Sequence, residues 1–215
     1  MISVKNLFKS FSDFQAVNDL SFDIKPGEVV GFLGPNGAGK STTMKMLTGF
    51  LLPTSGEIHI GDLSIADSDL AIKRKIGYLP EGAPAYGDMT PLQFLTFIAR
   101  IRGFKGAENN ARIAAVVKQV ELQEVLDRPI DNLSKGFKRR VGLAQALIHD
   151  PEILILDEPT DGLDPNQKHQ VRELIRNLSK DKIVIISTHI LEEVTAVCNR
   201  VMIIAKGKLL FDDSP

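Results

Sequence analysis

Cysteine is nearly absent from this sequence, and no hydrophobic run in it is long. Cys198 is the only cysteine among the 215 residues, so both an intrachain disulfide and a metal site made only of thiolates are excluded. We expect its thiol to be packed inside a protein that works in a reducing compartment. No apolar stretch approaches the roughly 18 residues that span a bilayer, and the N-terminus lacks a charged segment followed by a long apolar run. If the protein acts at a membrane, we expect another chain to cross it.

An excess of charge of either sign is also missing. The 26 basic and 27 acidic side chains give a formal net charge of −1. This balance provides no broad attraction to nucleic acid or to an anionic membrane surface, so such a partner would have to be met locally. Internal repeats and low-complexity tracts are absent as well. With 43% hydrophobic residues, the chain is long enough for one large core or two small ones.

The hydrophobic patterns change along the chain in an order that is typical of an α/β protein. Short β-rich segments come first and are separated by turn residues such as Pro26-Gly27. We predict strands at Ile2 to Leu7, Leu20 to Ile24, Val29 to Leu33 and Glu57 to Ile60. From about Pro91 to Leu147 the apolar residues recur at helical spacing, which indicates an inserted helical subdomain.

Two later apolar runs, Ile153 to Leu156 and Ile183 to Ile186, are rich in β-branched residues. A stretch of helical character, Pro165 to Leu178, separates them. Buried parallel strands have this composition because helices cover both faces of their sheet. The last segment predicts a hairpin made of Val201 to Ala205, the two-residue turn Lys206-Gly207, and Lys208 to Phe211.

A glycine-rich segment follows the predicted strand Val29 to Leu33. The sequence Gly34-Pro-Asn-Gly-Ala-Gly-Lys-Ser-Thr42 matches the P-loop pattern, and a helix can begin at Thr42. Glycines let the backbone close around a phosphate, and the amides at the helix start face it. We therefore expect Lys40 to contact the β- and γ-phosphates of ATP and the Ser41 hydroxyl to bind Mg²⁺. The nucleotide-binding residues predicted here are Asn36, Gly37, Ala38, Gly39, Lys40, Ser41 and Thr42.

Two acidic residues end the apolar run Ile153 to Leu156. The carboxyl ends of buried strands are the usual place for ligands in such folds. Asp157 is suited to hold Mg²⁺ directly or through a water molecule, and Glu158 is suited to orient and deprotonate the attacking water. A solvated strand end before Pro159 is the alternative, and the P-loop upstream argues against it.

The segment Asn132-Leu-Ser-Lys-Gly-Phe-Lys-Arg-Arg-Val141 resembles the signature motif of the ATP-binding cassette (ABC) ATPases. Its common form is Leu-Ser-Gly-Gly-Gln, so Lys135 replaces the first glycine and Phe137 replaces the glutamine. Ser134 and the Gly136 backbone keep the hydroxyl and the amide that a γ-phosphate requires at a helix N-terminus. In that family the phosphate belongs to ATP on the opposite subunit. The resemblance therefore implies that Ser134, Lys135 and Gly136 bind nucleotide across a head-to-tail dimer.

An aromatic residue near the N-terminus also fits the family. Phe11, which precedes Ala16-Val17, corresponds to the aromatic residue that stacks on adenine, and Val17 belongs to the same predicted contact. Taken alone, Phe11 is more typical of a core residue, because Phe8, Phe11 and Phe14 recur at helical spacing.

Two loops after the acid pair follow the order of the family. Asp161-Gly-Leu-Asp164 resembles the loop that contacts the partner subunit, and Ser187-Thr-His189 resembles the switch that senses the γ-phosphate. His189 ends the strand that follows the acid pair, where a donor to the transferring phosphate is needed. The resemblance therefore implies that His189, Glu158 and Lys40 are the catalytic residues.

One further departure from the family bears on the metal site. Where the family usually has glutamine in the loop that joins the core to the helical subdomain, this chain has Glu81. A carboxylate binds Mg²⁺ at least as well as an amide oxygen, but it adds a negative charge near the phosphates. At ~5 Å and an effective dielectric of ~20, that charge is worth roughly 3 kcal/mol. We expect Glu81 to remain a Mg²⁺ ligand beside Ser41 and Asp157.

The resemblance implies an α/β fold, a P-loop NTPase core with an N-terminal antiparallel β-subdomain and an inserted α-helical subdomain. We predict one ABC ATPase domain over residues 1–215, with 1–82 and 151–215 forming the core and 83–150 the helical subdomain. The motif variants look most like the ATPases of bacterial multidrug, polysaccharide or gliding-motility exporters. Members of that group often carry a C-terminal extension, so we expect a short member or a shortened chain.

The implied function is that of an ATP-binding and ATP-hydrolysing subunit that drives export. Binding of ATP would close the dimer and hydrolysis would open it. This motion would move permease subunits, which are separate membrane chains that dock near the Glu81 loop. The protein would lie at the cytoplasmic face of the inner or plasma membrane, with no nucleic acid as a partner. A soluble ABC ATPase of DNA repair or translation is the main alternative, although such proteins commonly carry a long coiled coil or a second cassette. A P-loop nucleotide kinase would need a lid and an acceptor site.

Overall fold

The computed structural model describes residues 1–67, 69–82, 85–179 and 182–215. Its strands are β1 (Ile2–Phe11), β2 (Phe14–Ile24), β3 (Val29–Leu33), β4 (Ser55–Ile60), β5 (Leu63–Ser64), β6 (Ile76–Leu79), β7 (Ile153–Asp157), β8 (Ile183–Thr188), β9 (Arg200–Ala205) and β10 (Lys208–Asp213). Its helices are α1 (Lys40–Leu47), α2 (Asp69–Lys75), α3 (Pro91–Ile101), α4 (Gly106–Gln119), α5 (Lys135–Leu147), α6 (Pro165–Leu178) and α7 (Leu191–Val197). The predicted start of the helical subdomain, residue 83, lies outside the described residues.

The larger sheet has the strand order β10-β9-β3-β8-β7-β6. Its strands β9, β3, β8, β7 and β6 are parallel, and β10 pairs antiparallel with β9. The two apolar runs near residues 153 and 183 are therefore neighbouring parallel strands, as predicted. Because parallel strands end at the same edge, the segments that follow β3, β7 and β8 meet there.

The smaller sheet is antiparallel, with the order β2-β1-β4-β5. Its first strand runs further than predicted, to Phe11, which pairs with Phe14 across a tight turn. Phe8 and Phe11 therefore lie on one strand of a hairpin and Phe14 lies on the other, although their spacing fits a helix. Phe11 is 47% exposed, so the alternative that it is a core residue is wrong.

The segment between β6 and β7 is helical, as the spacing predicts. The first of its helices, α3, begins at a capping box in which Gln93 N donates to Thr90 Oγ1 and Thr90 N donates to Gln93 Oε1. Pro91 occupies the first turn, where its missing amide hydrogen costs nothing. No helix in the described ranges is long and apolar enough to cross a membrane.

Both faces of the central strands β3, β7 and β8 of the larger sheet are buried, and alternate residues of these strands belong to different hydrophobic clusters. On β7, Leu154 and Leu156 pack with helices α3 to α6, whereas Ile153 and Ile155 pack with the smaller sheet and α1. Cys198 is buried in the first cluster, and burial raises the pKa of its thiol to about 12, which confirms the expected packing. Apolar burial on both sides holds the strand ends in place, and the loops beyond them carry the candidate site.

Candidate active site

The P-loop joins the end of β3 to the start of α1. Gly39 is the N-cap of α1 and has a φ of +103°, a conformation that glycine adopts without strain. A Cβ at this position would lie 2.5 Å from the Ala16 carbonyl oxygen, so a side chain would also collide with β2. The Ala38 carbonyl accepts a hydrogen bond of 3.0 Å from Gly207 N in the turn between β9 and β10. The loop is therefore held from two sides with its amides at a helix N-terminus.

Lys40 is almost fully buried at the first position of α1, with 6% exposure. Its Nζ donates to the Gly34 carbonyl at 2.7 Å and to the Pro35 carbonyl at 3.3 Å. The same ammonium lies 3.8 Å from Glu158 Oε1. The predicted phosphate-binding lysine and the predicted base thus share one site, although they lie 118 positions apart in the sequence.

Asp157 lies under the P-loop at the end of β7 and is 1% exposed. Its Oδ1 accepts hydrogen bonds from Ser41 Oγ, at 3.2 Å, and from Ser187 Oγ. Its Oδ2 is buried and has no hydrogen-bond partner among the described residues. A hydroxyl and a carboxylate with a free buried oxygen form a donor set that suits Mg²⁺, which prefers oxygen ligands. The residues present therefore fit that ion.

Glu158 adopts a left-handed backbone conformation, with a φ of +49°, immediately after β7. Both of its carboxylate oxygens lie 3.2 Å from His189 Nδ1, which follows β8. Burial raises the pKa of this carboxyl, while the hydrogen bond and charge of His189 and the charge of Lys40 oppose that rise, and Asp157 adds to it. The net effect is a raised pKa, which makes the carboxylate a better proton acceptor than a solvated one.

One cavity contains most of the predicted site. Its wall is formed by the P-loop, the start of α1, the two acidic residues Glu81 and Glu158, and His189. The predicted residues in this wall are Asn36, Gly37, Ala38, Gly39, Lys40, Ser41, Thr42, Glu81, Glu158 and His189. Asp161, from the loop after the acid pair, lines it as well. The structure thus brings together residues from four separate loops at one edge of the larger sheet.

The β1–β2 hairpin adds an aromatic ring to this cavity, but it is not the ring that the sequence suggests. Phe14 and Ala16 line the wall, and Phe14 is 62% exposed. Phe11 lies opposite Phe14 in the hairpin and has Lys9 Nζ 5.1 Å from its ring centre. Val17 is fully buried and faces the P-loop, 3.5 Å from where a Cβ of Gly39 would be. The register of the hairpin decides which ring faces the cavity, and the sequence gives no direct signal for that register.

The signature segment lies away from this cavity. Ser134 is the N-cap of α5, and its Oγ accepts a hydrogen bond from Phe137 N at 3.3 Å. Lys135 lines a separate polar depression with Asp161, and Gly136 packs so closely on α6 that a Cβ would lie 2.6 Å from Gln167 Cδ. Within the described chain, the cavity of the P-loop receives no wall residue from 134–136.

Glu193 lies behind the site and was not singled out by any sequence pattern. It is 6% exposed, and its carboxylate accepts hydrogen bonds from Thr188 Oγ1 at 2.9 Å and from Lys168 Nζ at 3.0 Å. Burial raises the pKa of this carboxyl, but the neighbouring polar groups of Thr160, Lys168 and Thr188 outweigh burial and lower it. The ionised group therefore ties the end of β8, next to His189, to helix α6. In the sequence it resembles any acidic residue in the first turn of a helix.

The sequence matches the ABC transporter family over residues 17–161, which is most of the chain and includes the P-loop, the signature segment and the acid pair. The chain belongs to the ABC transporter family. This ABC ATPase is 41% identical over 209 residues to YxlF of Bacillus subtilis (strain 168), an uncharacterized ABC transporter ATP-binding protein, and the match covers 97% of the chain and 69% of YxlF. It is 37% identical over 216 residues to YbhF of Escherichia coli (strain K12), a probable multidrug ABC transporter ATP-binding protein, covering 100% of the chain and 37% of YbhF.

The fold of this ABC ATPase also matches a solved cassette. The dimeric structure of MJ0796, a bacterial ABC transporter cassette, aligns with a TM-score of 0.91 and 27% identity over 100% of this chain and 98% of that one. The same cassette in a dimeric post-hydrolysis state, bound to ADP and Pi, aligns with a TM-score of 0.90 and 26% identity, again over 100% of this chain and 98% of that one. The predicted family, fold and ATPase activity are thereby confirmed, and the soluble alternative is not favoured.

Proposed function

We propose that this ABC ATPase drives export through membrane subunits in separate chains, and that two copies close head to tail around two ATP molecules. The observation that carries the proposal is the separation of the signature residues 134–136 from the cavity of the P-loop. A γ-phosphate bound at Lys40 needs donors on its open side, and a second copy can present Ser134 there at the N-terminus of α5. The multidrug name of YbhF supports export as the direction.

Within one half of the site, the positions of the side chains support the following roles. The P-loop amides and Lys40 would hold the phosphates, and Ser41, Asp157 and Glu81 would hold Mg²⁺. When bound, that ion neutralises part of the phosphate charge. We propose that residues 36–42 contact the nucleotide, as the sequence predicts. For adenine, the resemblance names Phe11 with Val17, while the cavity wall holds Phe14.

Hydrolysis then depends on the Glu158 carboxylate. This group orients a water molecule toward the γ-phosphate and accepts its proton as the oxygen–phosphorus bond forms and the bond to ADP breaks. His189, whose Nδ1 lies 3.2 Å from both carboxylate oxygens, keeps the group pointed into the cavity, and a ring with a proton on each nitrogen can also donate from Nε2 to the phosphate that is transferred. The products are ADP and inorganic phosphate.

An apolar groove fits the proposed membrane partner. It runs between the loop after α1 and helix α3, next to the residues that lead to Glu81. Phe50 is 75% exposed in this groove and Ile101 is 65% exposed, which is unusual for such side chains. We infer that a permease subunit covers them and that the protein therefore lies at the cytoplasmic face of the membrane. In this arrangement residues 83–150 act as the helical subdomain, and residues 1–82 and 151–215 act as the core.

The test is size-exclusion chromatography with light scattering on Glu158→Gln, with and without Mg-ATP. The variant keeps the shape of the side chain but cannot accept the proton, so ATP stays bound and a dimer is expected to accumulate. Glu152→Gln, which lies just before the opposite end of β7, is the matched control and should hydrolyse ATP like the wild type. A Glu158→Gln variant that binds Mg-ATP and stays monomeric would count against the head-to-tail arrangement.

A further inference from the structure

A buried guanidinium lies directly behind the acid pair. Arg139 is in the first half of α5 and is only 5% exposed. Its Nη2 donates to the backbone carbonyl of Glu158, and its Nη1 donates to the carbonyl of Pro80 at 3.5 Å. Cationic side chains are rarely buried to this degree without a charged partner, because they lose their hydration. Packing alone does not account for a charge in this position.

The charge of Arg139 is balanced by a group of carboxylates rather than by one ion pair. Among the described residues no carboxylate lies within ion-pair distance of it. Burial lowers the pKa of its guanidinium, and the nearby charges of Asp161, Asp157, Glu158 and Glu81 oppose that shift. An arginine side chain stays protonated in either case. Arg139 is therefore a fixed positive charge near four carboxylates, of which Asp161, Glu158 and Glu81 line the cavity.

The two hydrogen bonds join the loops that carry two of those carboxylates. Pro80 immediately precedes Glu81, and the second carbonyl belongs to Glu158 itself, whose backbone is in the left-handed region. A planar guanidinium can bridge two carbonyl groups, which an ammonium cannot do with the same geometry. The contact therefore fixes Glu81 and Glu158 relative to each other and to α5.

We propose that Arg139 is a positioning residue of the ATPase site, which holds the Glu81 and Glu158 loops together and offsets the extra negative charge that Glu81 brings to the phosphates. A chain with glutamine at position 81 would have less need of this charge. The inference rests on the proposed site, because it requires Mg-ATP to bind beside Glu81.

The decisive experiment is a double-mutant cycle between the two positions. Affinity for Mg-ATP is measured by calorimetry, and kcat and KM are measured separately, for the wild type, Glu81→Gln, Arg139→Gln and the double variant. Arg139→Gln should weaken Mg-ATP binding about tenfold when Glu81 is present and by no more than about threefold when residue 81 is glutamine. Equal losses in the two backgrounds would refute a charge balance between these residues.

Arg140→Gln is the matched control on the same helix. Its guanidinium also bonds a backbone carbonyl, that of Val120, but it faces Glu121 and Gln170 instead of the cavity. Its effect should not depend on residue 81. If Arg139→Gln does not fold, Arg139→Lys is measured instead. It should keep Mg-ATP affinity within about threefold because the charge remains, and it should lower kcat about tenfold because the bridge between the two carbonyls is lost. An unchanged kcat would overturn the positioning role, and a tenfold loss of affinity would overturn the charge balance.

Failure of this inference can be distinguished from failure of the proposed function. Wild-type turnover and its loss in Glu158→Gln test the site itself. The double-mutant cycle measures affinity and needs no hydrolysis. If it shows no coupling between residues 81 and 139 while the wild type still hydrolyses ATP, only the proposed role of Arg139 is overturned.

Discussion

At the scale of single residues, the two rings of the β1–β2 hairpin make different predictions. Phe14 lines the cavity, whereas Phe11 already has Lys9 over its ring. Stacking of a base on an aromatic ring is worth about 1–3 kcal/mol, so Phe14→Ala should weaken ATP binding about tenfold and Phe11→Ala by less than about threefold. Isothermal calorimetry with ATP measures both, with Phe14→Tyr as the control that keeps the ring. A larger loss for Phe11→Ala would restore the assignment that the family resemblance suggests.

His149 predicts a pH dependence of stability. The buried Nδ1 of its ring has no hydrogen-bond partner within the described chain, and its Nε2 forms a hydrogen bond of 3.0 Å with the Ile76 carbonyl. Burial, then the charge of Arg102, lowers the pKa of His149 from 6.5 to about 4. Because the unfolded chain takes up this proton at a higher pH than the folded one, stability falls as the pH drops from about 6.5 to about 4 and is unaffected above that window.

The measurement is urea unfolding at pH 7 and pH 5. After allowance for the partial exposure of His149, titration of this residue should lower the unfolding free energy of the wild type by about 1 kcal/mol between pH 7 and pH 5. His149→Gln can keep the donor to Ile76 but does not titrate, so its pH dependence should be smaller by that amount. Identical pH dependence in the two proteins would show that the imidazole is protonated equally in both states.

At the same scale, the sequence predicted the motif residues better than their surroundings. Lys40, Glu158 and His189 could be named because their spacing and order fit a known chemistry, and the structure places them in one cavity. Phe14 and Arg139 could not be named from pattern alone. The direction of Phe14 depends on a hairpin register, and the burial of Arg139 depends on how α5 packs against the end of β7, which are both long-range features.

At the scale of elements, the contact between β6 and α5 determines the position of α5, the helix that Ser134 of the signature segment caps. A Cβ on Gly77 would lie 2.1 Å from the Ala146 carbonyl oxygen, which is backbone and cannot turn aside. Gly77→Ala should therefore push α5 away from the sheet and cost about 2 kcal/mol of unfolding free energy, with reduced ATPase activity because α5 carries Ser134 and Arg139.

Gly31→Ala on β3 is the comparison for this prediction. Its added methyl group would meet Cγ1 of the buried Val194 at 2.7 Å and Cγ2 at 3.0 Å, which are side-chain atoms rather than a backbone carbonyl. Urea denaturation of both variants should show the smaller loss for Gly31→Ala. The reverse order would mean that α5 adapts its position more easily than the Val194 side chain.

Most elements follow from local patterns, whereas the missed strand β6 depends on tertiary pairing. Helix α6 has the predicted bounds, because Asp164 caps it and Pro165 fits its first turn. The short strand β6 was not predicted, since Ile76–Leu79 contains a glycine and only four residues, and it is a strand because it pairs with β7. Tertiary pairing decides such segments, so the sequence around them carries little signal.

At the scale of the whole molecule, a head-to-tail dimer predicts that two inactive variants can complement each other. Lys40→Ala disables the P-loop of its own subunit. Ser134→Asp keeps an N-cap for α5 but turns a carboxylate toward the phosphate of the partner. A dimer of one of each contains one intact composite site, so an equal mixture should recover roughly a quarter of wild-type ATPase activity.

Steady-state phosphate release from the mixture, compared with each variant alone, measures this recovery. A mixture with Lys40→Ala and a second P-loop variant, Ser41→Ala, is the control and should stay inactive, because no arrangement of these two subunits contains an intact P-loop. Activity of Ser134→Asp on its own would contradict the shared site.

The contact between the P-loop and the turn at Gly207 has a consequence for biosynthesis. The Ala38 carbonyl accepts a hydrogen bond from Gly207 N, and the Gly207 carbonyl accepts one from Asn18 N at 2.8 Å. The turn between β9 and β10 is therefore bonded both to the P-loop and to the β1–β2 hairpin beside it. A ribosome makes residue 207 long after residue 38, and chains are released N-terminus first. During most of translation the loop therefore lacks one of its two supports. We therefore expect ATP binding to become strong only when synthesis has passed the hairpin of β9 and β10.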